Sequence, residues 1–107
     1  MNLTGTWHIQ SMELWDEDYF NMEVQAYITI ESNYIGEFQF GLVTGDLDGS
    51  ISGKGDEASL HFSWEGGDEN DPAFGRGWCK LKDSNTLEGE IKFHFGDSSG
   101  FEAVRAA

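Results

Sequence analysis

Apolar and polar residues alternate with period two in eight successive runs, separated by short turn-forming segments. A half-buried β-strand produces this pattern, because successive side chains point to opposite faces of a sheet. The first run, Leu3 to about Met12, sets Leu3, Gly5, Trp7 and Ile9 on one face. The second does so with Met22, Val24, Ala26, Ile28 and Ile30, and the third with Tyr34, Gly36, Phe38, Phe40 and Leu42. The fourth is thinner, with Leu47, Gly49, Ile51 and Gly53. Ala58, Leu60, Phe62 and Trp64 form the apolar face of the fifth, and Gly75, Gly77, Cys79 and Leu81 that of the sixth. Leu87, Gly89, Ile91, Phe93 and Phe95 mark the seventh, and Phe101, Ala103 and Arg105 the eighth. No longer window carries a helical period. Met12, Leu14 and Trp15 break the parity of the first run, which predicts either one short turn of helix within 12–22 or a β-bulge.

The connections at 32–33, 44–45, 55–56, 83–85 and 96–99 are short, as in hairpins between antiparallel neighbours. Eight hairpin-linked strands with one apolar face each must hide that face. The expected solution is an all-β, eight-stranded antiparallel up-and-down (meander) barrel, which also removes exposed edges. A two-sheet sandwich is the alternative, but it needs longer crossing connections. A length of 107 residues fits a single β-barrel domain over 1–107. Eight Phe and four Trp supply the apolar surface that an acidic disordered chain would lack.

The net charge is −14, and residues 1–53 contain no Lys or Arg. Such a surface repels nucleic acid and anionic membranes. No stretch approaches the ~20 apolar residues of a membrane span, and no signal peptide is visible. Cys79 is the only cysteine, so an internal disulfide is excluded and a reducing cytoplasm is the expected setting.

The opening Leu3-Thr4-Gly5-Thr6-Trp7 and the closing Phe101-Glu102-Ala103-Val104-Arg105 resemble the calycin superfamily, which includes lipocalins and avidins. In those proteins a G-x-W in the first strand packs against an Arg from the end of the last and seals one end of the barrel. The resemblance implies a structural closure role for Gly5, Trp7 and Arg105. An Arg over an indole face is a cation–π pair that burial strengthens. Ile9 stands where avidins place a biotin-binding Asn, so biotin binding is not implied. Residues 12–16, 36–41 and 64–72 are similar to a group of small bacterial proteins, which implies a bacterial setting and no particular activity.

In a meander, successive loops alternate between the two ends. Segments 15–21, 44–46, 65–73 and 96–99 are therefore expected at one end, opposite the Trp7–Arg105 base. This mouth would collect acids and aromatics, which suit a partner with a basic patch, since aromatics anchor interfaces and charges steer encounter. The candidate binding residues are Trp15, Asp16, Asp18, Tyr19, Trp64, Glu65, Asp68, Asp71 and Arg76.

No metal or cofactor is expected. Asp16-Glu17-Asp18 and Asp68-Glu69-Asn70-Asp71 offer oxygen ligands but lack the spacing of a calcium loop. His8, His61 and His94 fall on strands that are not mutual neighbours, and Cys79 faces the core. No nucleophile elbow, P-loop or dinucleotide fingerprint is present. The expected function is a non-enzymatic binding module for a protein partner or small ligand. The alternatives are a carrier of a small apolar molecule inside the barrel and an acidic nucleic-acid mimic. Inward glycines such as Gly49, Gly75 and Gly77 are consistent either with interior space or with barrel bends.

Overall fold

Strands form wherever the alternation is regular. The computed structural model describes residues 2–106. Its elements are β1 (Gly5–Met12), α1 (Glu17–Phe20), β2 (Tyr27–Ile30), β3 (Ile35–Phe40), β4 (Val43–Ser52), β5 (Ser59–Asp68), β6 (Asp71–Asp83), β7 (Thr86–Phe93) and β8 (Ser98–Arg105), with a 3₁₀ turn over Gly55–Glu57 between β4 and β5. Each strand pairs antiparallel with the next, and β8 returns to β1, closing the sheet into an up-and-down barrel. Closure gives every strand two hydrogen-bonded neighbours and abolishes the edges. Among the described residues no helix is long and apolar enough to cross a membrane, a statement that does not bear on strands.

The inward faces form one core cluster running from Leu3 to Ala103. Trp7, Phe38, Phe40, Leu60 and Ile91 are all essentially inaccessible, and each large side chain buried this way contributes about 1.5–3 kcal/mol. Two inward glycines show what fills the barrel. The Phe38 ring lies where a Cβ at Gly45 would stand, and the Phe62 ring lies where one at Gly77 would stand. These glycines make room for rings from neighbouring strands.

Several boundaries differ from the sequence expectation. The segment 12–22 contains both devices: the β1/β8 register shifts between Ile9 and Ser11, and α1 follows. β2 starts only at Tyr27, leaving Met22 and Val24 exposed rather than inward. Segment 44–46 is strand, because the turn lies earlier, at Gly41 and Leu42. Gly41 has φ +57°, and a side chain there would collide with the Tyr19 ring. Segment 65–73 is not a long loop either. β5 and β6 run through most of it to a tight turn, where Glu69 takes φ +62°. Phe95 leaves the inward face altogether, at φ +57° and 95% exposure.

The two ends of the barrel are closed differently. The chain enters and leaves at the base, where Trp7 pairs in register with Arg105. The guanidinium lies 4.2 Å from the indole centroid. Its Nε donates to Ser84 O at 3.2 Å, one terminal nitrogen donates to Thr4 O at 3.2 Å, and the other donates to Asn2 O. Trp7 Nε1 donates to Leu3 O at 2.9 Å. Gly5, at φ +121°, lets the chain turn beneath the guanidinium.

Candidate functional site

The opposite end is covered by the β1–β2 connection. Asp16 caps α1, its carboxylate accepting from Tyr19 N at 3.1 Å. Glu17 and Asp18 in the first turn complement the positive end of the helix. Phe20 is thereby driven into the core at 2% exposure. Its carbonyl accepts from Gly41 N at 2.9 Å, which ties the cover to the β3–β4 turn. A second tie joins β8: Glu13 N donates to Gly100 O at 2.9 Å, and Gly100 N donates back to Glu13 Oε1 at 3.2 Å. Leu14 N donates to the buried Ser99 Oγ at 3.2 Å, and that hydroxyl donates onward to Gly100 O. Among the described residues no buried side-chain polar atom lacks a partner.

Beneath the cover the aromatic rings form a continuous chain. Trp15 packs on Phe40 at 5.1 Å between centroids and on Phe93 at 6.3 Å. Trp64 meets Phe38 and Phe93 edge-on, each at 5.1 Å. Trp64 Nε1 donates to Lys92 O at 3.1 Å. Most of the mouth aromatics therefore serve the core.

A cleft of about 370 Å³ lies between the β5–β6 turn and the β7–β8 turn. Half-buried Trp15, Ala73 and Phe93 lie at its bottom, and the exposed carboxylates of Asp68, Asp71 and Asp97 stand around it. Asp68 and Asp71 are direct cross-strand partners. Like charges placed opposite one another destabilise a hairpin, and a cation between them would remove that cost. Among the described residues no group of three or more His, Cys, Asp or Glu converges as metal ligands do. The acids ring an apolar bottom instead, which suits an organic cation such as a guanidinium or ammonium.

The structure distributes the candidate residues unevenly. Trp15, Asp68 and Asp71 line the cleft. Asp16 caps α1, Asp18 is exposed on that helix, and Tyr19 packs over Gly41. Trp64 is buried at 3% exposure. Glu65 projects outward in a cross-strand row with Asp46 and Glu37. Arg76 lies in a separate groove beside Lys92. Sequence reasoning missed Phe93, Ala73 and His94 as cleft residues. Phe93 was legible only as an inward strand residue, because the alternation set Phe95 between it and the mouth.

Burial pushes the Cys79 thiol up to about 12, so it stays protonated near neutrality. His61 Nε2 lies 3.0 Å from Ser59 Oγ, but the pair is exposed along one strand. His94 is stacked on Phe74 at 4.7 Å. The phenol of Tyr27 is raised by partial burial and then by Glu37 and Asp46. Comparison with protein-family models, with curated proteins and with solved structures finds no match for this chain.

Proposed function

We propose that the chain is a non-enzymatic, calycin-like binding module of the bacterial cytoplasm that recognises a protein partner through its covered mouth. A Lys or Arg side chain of the partner enters the cleft, its stem on Trp15 and Phe93 and its charge among Asp68, Asp71 and Asp97. The observation that carries this reading is the pairing of an apolar, half-buried bottom with three exposed carboxylates, two of them opposed in register. Leu14, Met22 and Val24 are exposed apolar residues of the cover, of the kind that recognition surfaces carry. The ring-filled interior supports recognition at the surface over carriage inside the barrel.

The test is a titration of the ¹⁵N-labelled chain with a short arginine-containing peptide and with its citrulline counterpart. The arginine peptide should shift amides at 71–74 and 93–97, and D68N/D71N should remove the response. Equal shifts from the citrulline peptide, or an undiminished response in D68N/D71N, would sink the reading.

A second reading has one observation in its favour. Glu37, Asp46 and Glu65 form a row across three adjacent strands, spaced at about the 4.7–4.9 Å between neighbouring strands. Charge running along a face is what an acidic mimic of nucleic acid requires. Competition between DNA and this chain for a captured basic protein distinguishes it, because occupancy of the mouth cleft alone would leave DNA binding intact.

A further inference from the structure

The outer face of β6 and β7 carries two adjacent cations next to the mouth cleft. The chain has six Lys and Arg residues against twenty Asp and Glu. Two of those six, Arg76 and Lys92, are direct cross-strand partners. Their next neighbours across the sheet are uncharged, Ser63 beside Arg76 and Ser98 beside Lys92. Among the described residues the one ion pair is Lys82–Glu102, so no carboxylate neutralises either cation. Among the described residues the side chain of Lys92 makes one hydrogen bond, a long one of 3.5 Å to the Gly96 carbonyl.

These two cations border a groove of about 350 Å³ whose other side chains are Phe74, His94 and Phe95. The Phe74 and His94 rings are stacked at 4.7 Å with 25° between their planes, and Phe95 lies 4.0 Å from His94. Phe74 is 55% exposed and Phe95 is 95% exposed. Phe95 also sits at φ +57°, a region in which an L-residue is strained. Folding alone gives no reason to hold a phenyl ring in solvent on a strained backbone. A ligand that covers the ring does.

We infer that this groove binds an aromatic carboxylate, with the carboxylate on Arg76 and Lys92 and the ring on the Phe74–His94–Phe95 shelf. A guanidinium presents a planar fork that matches a carboxylate in two parallel hydrogen bonds, and Lys92 adds a second point charge. A flat ring fits an aromatic shelf by offset stacking. The net charge of −14 does not forbid a small anion here. At physiological salt the Debye length is about 8 Å, which screens the mouth acids. A carboxylate in contact with Arg76 and Lys92 lies closer to these two cations than to the nearest acids, Glu65 opposite Phe74 and Glu90 two residues before Lys92. A polyanion has no such protection, because its length would carry it over Glu65, Glu90 and the mouth carboxylates. The chemistry has two sources: a free arylcarboxylate, or the C-terminal carboxylate of a peptide ending in an aromatic residue.

Amide shifts of the ¹⁵N-labelled chain at about 0.15 M salt test the assignment, with 2-naphthoate, N-acetylphenylalanine and the neutral amide of each as probes. Both acids should shift amides at 74–76 and 92–95, and their amides should bind at least about tenfold more weakly. The tighter of the two acids identifies the source. R76Q/K92Q replaces exposed side chains and should weaken the acids by a similar factor, K92Q alone by less, and F95S should weaken them severalfold. D68N/D71N should leave these affinities unchanged, which separates this groove from the mouth cleft. Amides that bind as tightly as acids, unchanged affinity in R76Q/K92Q, or no shift at these positions would each overturn the assignment.

Discussion

The base and the mouth of this barrel solve the same problem with opposite means. At the base, one guanidinium covers one indole and satisfies three carbonyls, two from the N-terminal segment and one from the β6–β7 turn. At the mouth, a fourteen-residue connection (13–26) folds over a chain of rings and is held by a capped helical turn and ties to two neighbouring elements. The exposed large apolar residues divide accordingly. Among the described residues Leu14, Met22, Val24, Phe74 and Phe95 lie towards the mouth, and only Ile35 lies towards the base. Exposed apolar surface beside charge marks recognition surfaces. The base is built for stability, whereas the mouth accepts exposed rings and opposed carboxylates that stability alone would not select.

That contrast can be broken by substitution. Trp7→Ala should cost about 3–5 kcal/mol in urea unfolding, more than any change in the exposed mouth residues; a smaller loss would mean that the base is not the stabilising end. Alkaline unfolding reads the core between the ends. The Cys79 thiol moves from 9.0 to about 12 on folding, so the folded state holds the proton more tightly. The corresponding stability is complete below pH 9 and falls by about 1.4 kcal/mol per pH unit as pH rises towards 12. C79A should flatten that slope relative to the parent chain. Asp16→Ala removes the α1 cap and should cost about 0.5–2 kcal/mol. Hydrogen exchange should accelerate first in the cover and leave β5 and β6 protected. The smallest effect should be a gain: Phe95→Asn relieves the left-handed backbone and should raise stability by up to about 1 kcal/mol, while reducing affinity for aromatic carboxylates. A loss of stability would show that the ring packs where it stands.

What was legible in the sequence followed from strict alternation. β1, β5 and β7 sit with their apolar residues inward because parity is a local property of the strand. The mouth was harder because its boundaries depend on contacts distant in sequence. Thr44-Gly45 reads as a turn, yet Gly45 is a strand residue made small to receive the Phe38 ring. Gly66-Gly67 reads as a loop, yet at Gly66 the β4 carbonyl of Thr44 approaches so closely that only a residue without a side chain fits in the strand. Met22 and Val24 continue the parity of β2 without being part of it, because Asn21 Oδ1 accepts from Ala26 N at 2.8 Å and bridges the segment as a loop. The cleft acids could be placed at the mouth by topology, but the floor that gives them meaning could not. It required knowing that Trp15 folds inward while Phe95 turns out.

The seam between β1 and β8 gives the molecule a handle as well as a closed wall. Ala106 N donates to Thr6 O at 3.0 Å, so the two described termini leave side by side at the base, at the end of the barrel opposite the mouth cleft. Anything joined to either terminus, whether a support, a reporter or another folded unit, would hold the barrel by its foot and point the mouth and the Arg76–Lys92 groove outward. The same proximity makes the chain a candidate for re-joining its ends with a short linker and opening it in an exposed turn, such as Gly55–Glu57 between β4 and β5. The sheet would keep its strand order, and the recognition surfaces would keep their contacts.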